Sequence, residues 1–198
     1  SALDGKPGVK VLSIPSAEQN YLVFNTGNSA NPLLNNPAFW EASRWLVDYD
    51  GITKNLLKGQ YFVHQSFLPV GLPGALEDNP FKFDPAKAKA ILAKAGIKDA
   101  HFTLDVENKP PFNTIAQSMQ ASFAQGGVKV DLLPAAGSQV YARVRAKQHQ
   151  AAIRLWIPDY FDAHSNASAF AWNDGKSSTV AGLNGWKIPE LNKADRKS

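Results

Sequence analysis

Acidic and aromatic side chains alternate in one short stretch of the chain, and this stretch offers the most chemistry in the sequence. It holds three aromatic rings, two carboxylates and one imidazole: Trp156, Tyr160, Phe161, Asp159, Asp162 and His164. A carboxylate screened from water by aromatic rings suits a ligand ammonium group, through charge-assisted hydrogen bonds and cation–π contacts. A purely local role is also open, in which Asp159 only organises an Asx turn.

Two other interpretations of the same stretch stay open. Asp159, Asp162 and His164 could form an acid/base cluster of a hydrolase or transferase, but this needs a converging group from another strand end, and none is identifiable. The histidines form no HExxH pair, and GxSxG, GxGxxG and GxxxxGK[ST] patterns are absent. The other alternative is an autonomous module that binds a protein partner through residues 157–186. We predict a binding protein, not an enzyme, and no cofactor is implied.

The elements that position this stretch follow from the hydrophobic pattern. Three segments read as strands and two as intervening helices: residues 101–106, 128–133 and 151–156, then 114–125 and 138–148. This β-α-β-α-β order predicts an α/β fold, a mixed sheet with helices on its faces. Ligands of such sheets bind beyond the carboxyl ends of the parallel strands, where Pro158 turns the chain out of the third strand.

The remaining segments complete one predicted ligand-binding domain over residues 1–198. Short strands are expected at residues 11–14 and 21–24. Helices are expected after Asn36, a good N-cap, and between Asp84 and Gly96. Residues 157–186 read as a cleft-side loop, and residues 187–198 as the start of a return to a part of the protein not contained in this sequence.

Composition narrows the functional class. The 198 residues include no cysteine, which removes disulfides, thiolate catalysis and cysteine-ligated zinc. The net charge of +4 is spread over predicted helix faces without interleaved aromatic residues, so we expect no nucleic-acid partner. No run of eighteen apolar residues occurs, and residues 1–10 do not resemble a secretory signal.

Two motifs resemble those of a known family. Residues 83–96 begin Phe-Asp-Pro-Ala-Lys-Ala and end Leu-Ala-Lys-Ala-Gly, which is similar to the pattern Y-D-P-x-K-A-x-x-L-L-x-x-A-G. Trp156, Asp159, Tyr160 and Asp162 match W-x-x-D-Y-x-D-P, although Ala163 replaces the proline. Both resemble the second lobe of bacterial extracellular solute-binding proteins, family 5, the dipeptide, oligopeptide and nickel receptors of ABC transporters.

The resemblance implies a fold, a location and a role. Relatives close two lobes on the ligand by a hinge, so this chain would supply the second lobe and half of a cleft. In peptide-binding relatives the aspartate matching Asp159 holds the free amine of the ligand. The expected partners are a peptide or small polar solute and, through the full-length protein, the membrane permease. We expect a periplasmic monomer.

Overall fold

The computed structural model of the chain describes residues 5–12, 14–176 and 178–190. They form four strands and six α-helices: β1 Gln19–Phe24, α1 Pro37–Leu46, α2 Pro85–Lys94, β2 His101–Glu107, α3 Phe112–Gln125, β3 Lys129–Ala135, α4 Gly137–Arg145, β4 Ala151–Trp156, α5 Ala163–Phe170 and α6 Val180–Leu183. A 3-10 turn (Pro32–Asn35) precedes α1, and a π-helical turn (Gly51–Leu56) follows it. Within these ranges, no helix has the length and apolarity to cross a membrane.

The four strands form one mixed sheet in the order β1-β4-β2-β3. The central strand β2 runs parallel to both β3 and β4, with Leu104 opposite Leu132 on one side and Ala151 on the other. The edge strand β1 runs antiparallel to β4. The predicted β-α-β-α-β unit and mixed sheet are therefore confirmed, and the carboxyl ends of β2, β3 and β4 share one edge.

The larger core lies between the sheet and helices α1, α2 and α3. Phe102 of β2 is its centre, with its ring 5.3 Å from that of Phe24, 5.9 Å from Phe39 and 5.8 Å from Phe123. The predicted capping residues Asn36 and Asp84 begin α1 and α2, where each carboxamide or carboxylate oxygen accepts a backbone N–H. These caps fix where the two helices start against the sheet.

The opposite face of the sheet carries α4 and a smaller core of Val140, Val144 and Ala152. Asp105 of β2 is buried on the sheet and forms an ion pair with Arg143 of α4. A buried carboxylate without a partner would be strongly destabilising, so this pair ties α4 to the central strand. Helices on both faces confirm the expected layered architecture.

Three predictions about the flanking segments need correction or stay open. Residues 11, 12 and 14 are not in a strand, and residue 13 lies outside the described residues. Residues 157–186 are not an irregular loop, because they contain α5 and α6. Helix α5 was missed because it is short and its buried residues, Ser165, Asn166 and Ala169, do not form an apolar stripe. The predicted return at residues 187–198 is described only to residue 190.

Candidate functional site

The chain leaves β4 at the carboxyl edge of the sheet and enters solvent. Asp159 is exposed and has no ion pair or hydrogen bond with a side chain or backbone group in the described part of the molecule. Around it, Ile157, Tyr160 and Phe161 are 59%, 52% and 63% exposed. Contiguous exposed apolar side chains mark binding surfaces, so this turn has the character of a contact surface.

Trp156 is held rigidly at the base of the turn. Its indole N–H donates to Asn166 Oδ1 at 3.1 Å, and its ring meets Phe170 edge-on at 5.5 Å. The amide group of Asn166 in turn donates to Gln19 Oε1 at 3.1 Å and to the Phe67 carbonyl at 2.6 Å. Asn166 is fully buried, so these bonds fix the Trp156 ring as one wall of the site.

Asp162 and His164 occupy the start of α5. The Asp162 carboxylate accepts the backbone N–H of His164 at 2.8 Å and thereby caps the helix. The imidazole of His164 is exposed. No hydrogen bond joins the side chains of Asp159, Asp162 and His164, and in the described ranges no cluster of three His, Cys, Asp or Glu side chains could hold a metal. The structure thus gives Asp162 a local role in addition to any contact with a ligand.

Charged residues that sequence reasoning missed lie at the same edge. Glu107, the last residue of β2, pairs with Lys109 at 2.8 Å and with Arg154 of β4 at 3.7 Å. A Cβ atom on Gly137 would lie 2.9 Å from Glu107 Oε2, so a side chain at position 137 would require the Glu107 carboxylate to shift. The expectation that ligands bind beyond the carboxyl ends of parallel strands was applied only to β4. Applied to β2 as well, it would have found Glu107.

A pocket of about 450 Å³ opens between β4, α4 and the segment that carries α5 and α6. It brings three predicted residues, Trp156, Asp159 and Tyr160, together with Tyr141, Arg145 and Arg154. Phe161, Asp162 and His164 do not line it. Half of the six predicted site residues therefore line this pocket, and the other half lie outside it.

A larger groove of about 1100 Å³ follows the outer edge of β1 and is lined by residues of α1 and of the segment 59–70. None of the residues from 157 to 161 lines it. The side-chain amide of Asn20 is buried there without a hydrogen-bond partner in the described part of the chain. This groove was not predicted, because the hydrophobic pattern of a strand does not show whether one of its edges stays uncovered.

An α/β domain with an exposed acidic and aromatic turn at the carboxyl edge of its sheet has the design of a small-solute binding domain. The chain belongs to the bacterial extracellular solute-binding proteins, family 5, whose middle-region model matches residues 1–178. The family resemblance noted from the two sequence motifs is thereby confirmed.

A curated relative agrees with this family assignment, and solved structures share the fold. The probable D,D-dipeptide-binding periplasmic protein DdpA of Escherichia coli K12 is 31% identical over 169 residues, which cover 83% of this chain and 32% of that protein. HbpA2 of Haemophilus parasuis superposes with a TM-score of 0.85 at 21% identity, over 99% of this chain and 39% of that one. The dipeptide-binding protein of Pseudoalteromonas sp. SM9913 in complex with Met-Leu gives 0.78 at 22% identity, over 98% and 39%. The chain spans about a third of the curated relative's length.

Proposed function

We propose that this chain forms one lobe of the solute receptor of an ABC importer, which captures a peptide or similar small polar solute between two lobes and delivers it to a membrane permease. Family membership supports the binding role. The name of the relative from E. coli K12, a probable D,D-dipeptide-binding periplasmic protein, supports a peptide-like solute and a periplasmic location. A solute receptor works without catalysis, and the relative is named for binding.

The observation that carries the proposal is the exposed, unengaged carboxylate of Asp159 beside Trp156 and Tyr160 at the edge of the sheet. A ligand ammonium placed there would donate charge-assisted hydrogen bonds to the carboxylate oxygens of Asp159. The rings of Trp156, Tyr160 and Phe161 would form the walls and offer cation–π contact. Asp162 and His164 extend the same rim.

A site on one lobe binds weakly. Water competes for an exposed carboxylate, and the electrostatic attraction grows only when a second surface excludes that water. We therefore expect this chain by itself to bind dipeptides weakly or not at all in isothermal titration calorimetry. A micromolar dissociation constant for the isolated chain would contradict the proposed half-cleft.

The decisive experiment uses the whole protein, purified without denaturation, in native mass spectrometry. We expect a bound solute whose mass identifies its class. With that solute, Asp159→Asn should weaken binding by about tenfold or more, because a charged hydrogen bond becomes a neutral one. Asp99→Asn is the matched control: it removes the same charge from an exposed site before β2, where asparagine also tolerates the positive φ of 51°. Equal affinity in both variants would refute the role of Asp159.

The exposed apolar side chains of Ile157, Tyr160 and Phe161 also fit the alternative of a protein-interaction module. That alternative predicts that the purified protein carries no solute and forms a stable complex with a protein partner through this turn. Tyr160→Ala would then abolish the complex, whereas solute capture would survive with only reduced affinity. Size-exclusion chromatography of the protein with a candidate partner separates the two outcomes.

A further inference from the structure

The guanidinium of Arg154 is poorly satisfied by the protein. Its side chain is only 17% exposed, and its nearest carboxylate, Glu107, lies at 3.7 Å, too far for a hydrogen bond. Glu107 is itself engaged more closely by Lys109, at 2.8 Å. No hydrogen bond from the Arg154 guanidinium to another described residue is present. A largely buried cation with unused donors favours an anionic partner that can satisfy them.

A second cation and a hydroxyl lie beside Arg154. Both Arg154 and Arg145 stack on the ring of Tyr141, at 5.5 and 5.3 Å from its centre. Arg145 Nη1 donates to the Tyr141 hydroxyl oxygen at 2.5 Å. Because that oxygen accepts from Arg145, the hydroxyl proton points elsewhere and can be donated to a bound acid.

The pocket joins these groups to the proposed ammonium site. Among the described residues that line the pocket, Arg145 and Arg154 are accompanied by one carboxylate, Asp159, so this lining carries one excess positive charge. Ser165 and Ser168 add hydroxyl groups to the lining. Its volume of about 450 Å³ has room for one amino-acid side chain with water.

We propose that this pocket is a subsite for an acidic group of the solute, so that the receptor prefers peptide-like solutes that carry a side-chain carboxylate. The inference rests on the proposed function and specifies its substrate class. Asp159 receives the ammonium group at the mouth. Arg154 supplies a planar fork of donors to the carboxylate, and Arg145 and Tyr141 complete its surroundings.

The test uses two isosteric pairs of dipeptides, Glu-Ala with Gln-Ala and Ala-Glu with Ala-Gln. Each is titrated to tens of millimolar into the ¹⁵N-labelled chain, since nuclear magnetic resonance detects weak binding. In at least one pair, the acidic member should bind about tenfold more tightly than its amide and shift the Nε resonance of Arg154. Affinities that are equal within both pairs would overturn the proposal, as would an Arg154 resonance that none of the peptides shifts.

Variants assign the preference to the pocket. Arg154→Gln should reduce the acid-to-amide ratio to about one, since it removes the charge. If that variant is unfolded, Tyr141→Phe serves instead: it keeps the ring under both guanidinium groups, removes only the hydroxyl and should lower the ratio about threefold. Lys89→Gln removes an exposed charge on α2 and should leave the ratio unchanged. A preference that persists in both pocket variants would refute the subsite.

The same titrations separate this inference from the proposed function. If acidic and neutral peptides shift the backbone amides of residues 159–161 equally, the solute site stands and the acidic subsite fails. If no peptide shifts these amides while the Arg154 resonance responds to acids, the anion pocket stands and the ammonium site at Asp159 fails.

Discussion

Polar groups lie in opposite environments at the two ends of strand β4. At its start, His149 is buried: its ring nitrogen Nε2 lies 2.6 Å from Asn184 Oδ1, and its carbonyl accepts hydrogen bonds from Asn25 and Asn28 at 3.0 Å. Beyond its other end, Asp159 is exposed and the protein leaves its carboxylate unused. Polar groups at the buried end hold the fold together, whereas those at the exposed end are available to a ligand.

The buried end joins three separate segments. Asn25 follows β1 and donates to the carbonyls of Lys147 and His149, both at 3.0 Å. The carbonyl of Asn184, at the end of α6, accepts from the backbone N–H of Thr26 at 2.9 Å. Strand β1, the α4–β4 connection and α6 therefore meet at one hydrogen-bonded node, and α6 is a wall of the pocket described above.

The largest expected effect comes from breaking this node. Asn25→Ala removes both bonds to the connection, so the Lys147 carbonyl loses this donor and the His149 carbonyl keeps only the bond from Asn28. The loss should lower the free energy of unfolding by about 2–4 kcal/mol. Asn28→Ala is the milder control, since Asn28 makes one bond to the same region from a half-buried position, and should lower it by about 1 kcal/mol. Urea unfolding followed by circular dichroism measures both. Similar losses in the two variants would contradict the importance of buried Asn25.

Lowering the pH should destabilise the hydrogen-bonded node around His149, at the start of β4. Asn184 Nδ2 donates to the Val180 carbonyl at 2.7 Å, so its Oδ1 accepts from His149 Nε2–H, and Nδ1 is buried without a partner among the described residues. Burial lowers the pKa of His149, outweighing the Asn184 hydrogen bond and the charge of Asp105, which raise it; Arg154 lowers it further.

The sign of the pH effect follows. Since the folded-state pKa is depressed, the stabilisation by neutral His149 is complete above the unfolded pKa of about 6.5 and declines as pH falls below it. The slope should approach about 1.4 kcal/mol per pH unit. Urea midpoints between pH values of about 7 and 5 measure it. His149→Gln should flatten this decline and His101→Gln should not; an unchanged slope in His149→Gln would locate the sensitivity elsewhere.

The cap of α5 is expected to have an intermediate effect. Asp162→Ala removes the acceptor for the His164 N–H and should lower the free energy of unfolding by about 1 kcal/mol. Asp162→Asn keeps a good capping side chain and should restore most of that loss. If alanine and asparagine destabilise the protein equally, charge rather than capping is the contribution of Asp162.

The smallest effect on stability should come from Asp159. Asp159→Ala removes a carboxylate that contacts no described partner, so the free energy of unfolding should change by less than about 0.5 kcal/mol. Solute binding by the whole protein should nevertheless fall. A clear loss of stability would mean that Asp159 organises the turn, which is the Asx-turn interpretation left open by the sequence.

The sequence predicted the sheet more accurately than the segment that follows it. Strand β4 was placed at its observed bounds, residues 151–156, because an apolar run that contains one polar residue, Arg154, ends shortly before Pro158. Helix α3 begins at Phe112 rather than at Thr114, since no capping side chain announces its first turn. These elements are detectable because their buried faces are apolar and periodic.

The site was predicted only in part for the same reason. Asp159, Tyr160 and Trp156 lie where the end of a parallel strand places them. Arg154 and Tyr141 were missed because they come together only when α4 packs over the sheet, a contact that local periodicity does not encode. The asparagines of the node, Asn25 and Asn184, read as loop residues although both are buried.

The antiparallel pairing of β1 has a mechanical consequence. Gln19, the first residue of β1, lies opposite Trp156, the last residue of β4. The chain therefore enters β1 at the same end of the sheet at which it leaves β4 into the aromatic turn. Gln19 Oε1 also accepts a hydrogen bond from the side-chain amide of Asn166. The Oδ1 of Asn166 in turn accepts the indole N–H of Trp156. A pull on the chain leading into β1 would therefore reach the Trp156 indole through two hydrogen bonds, without passing through the core.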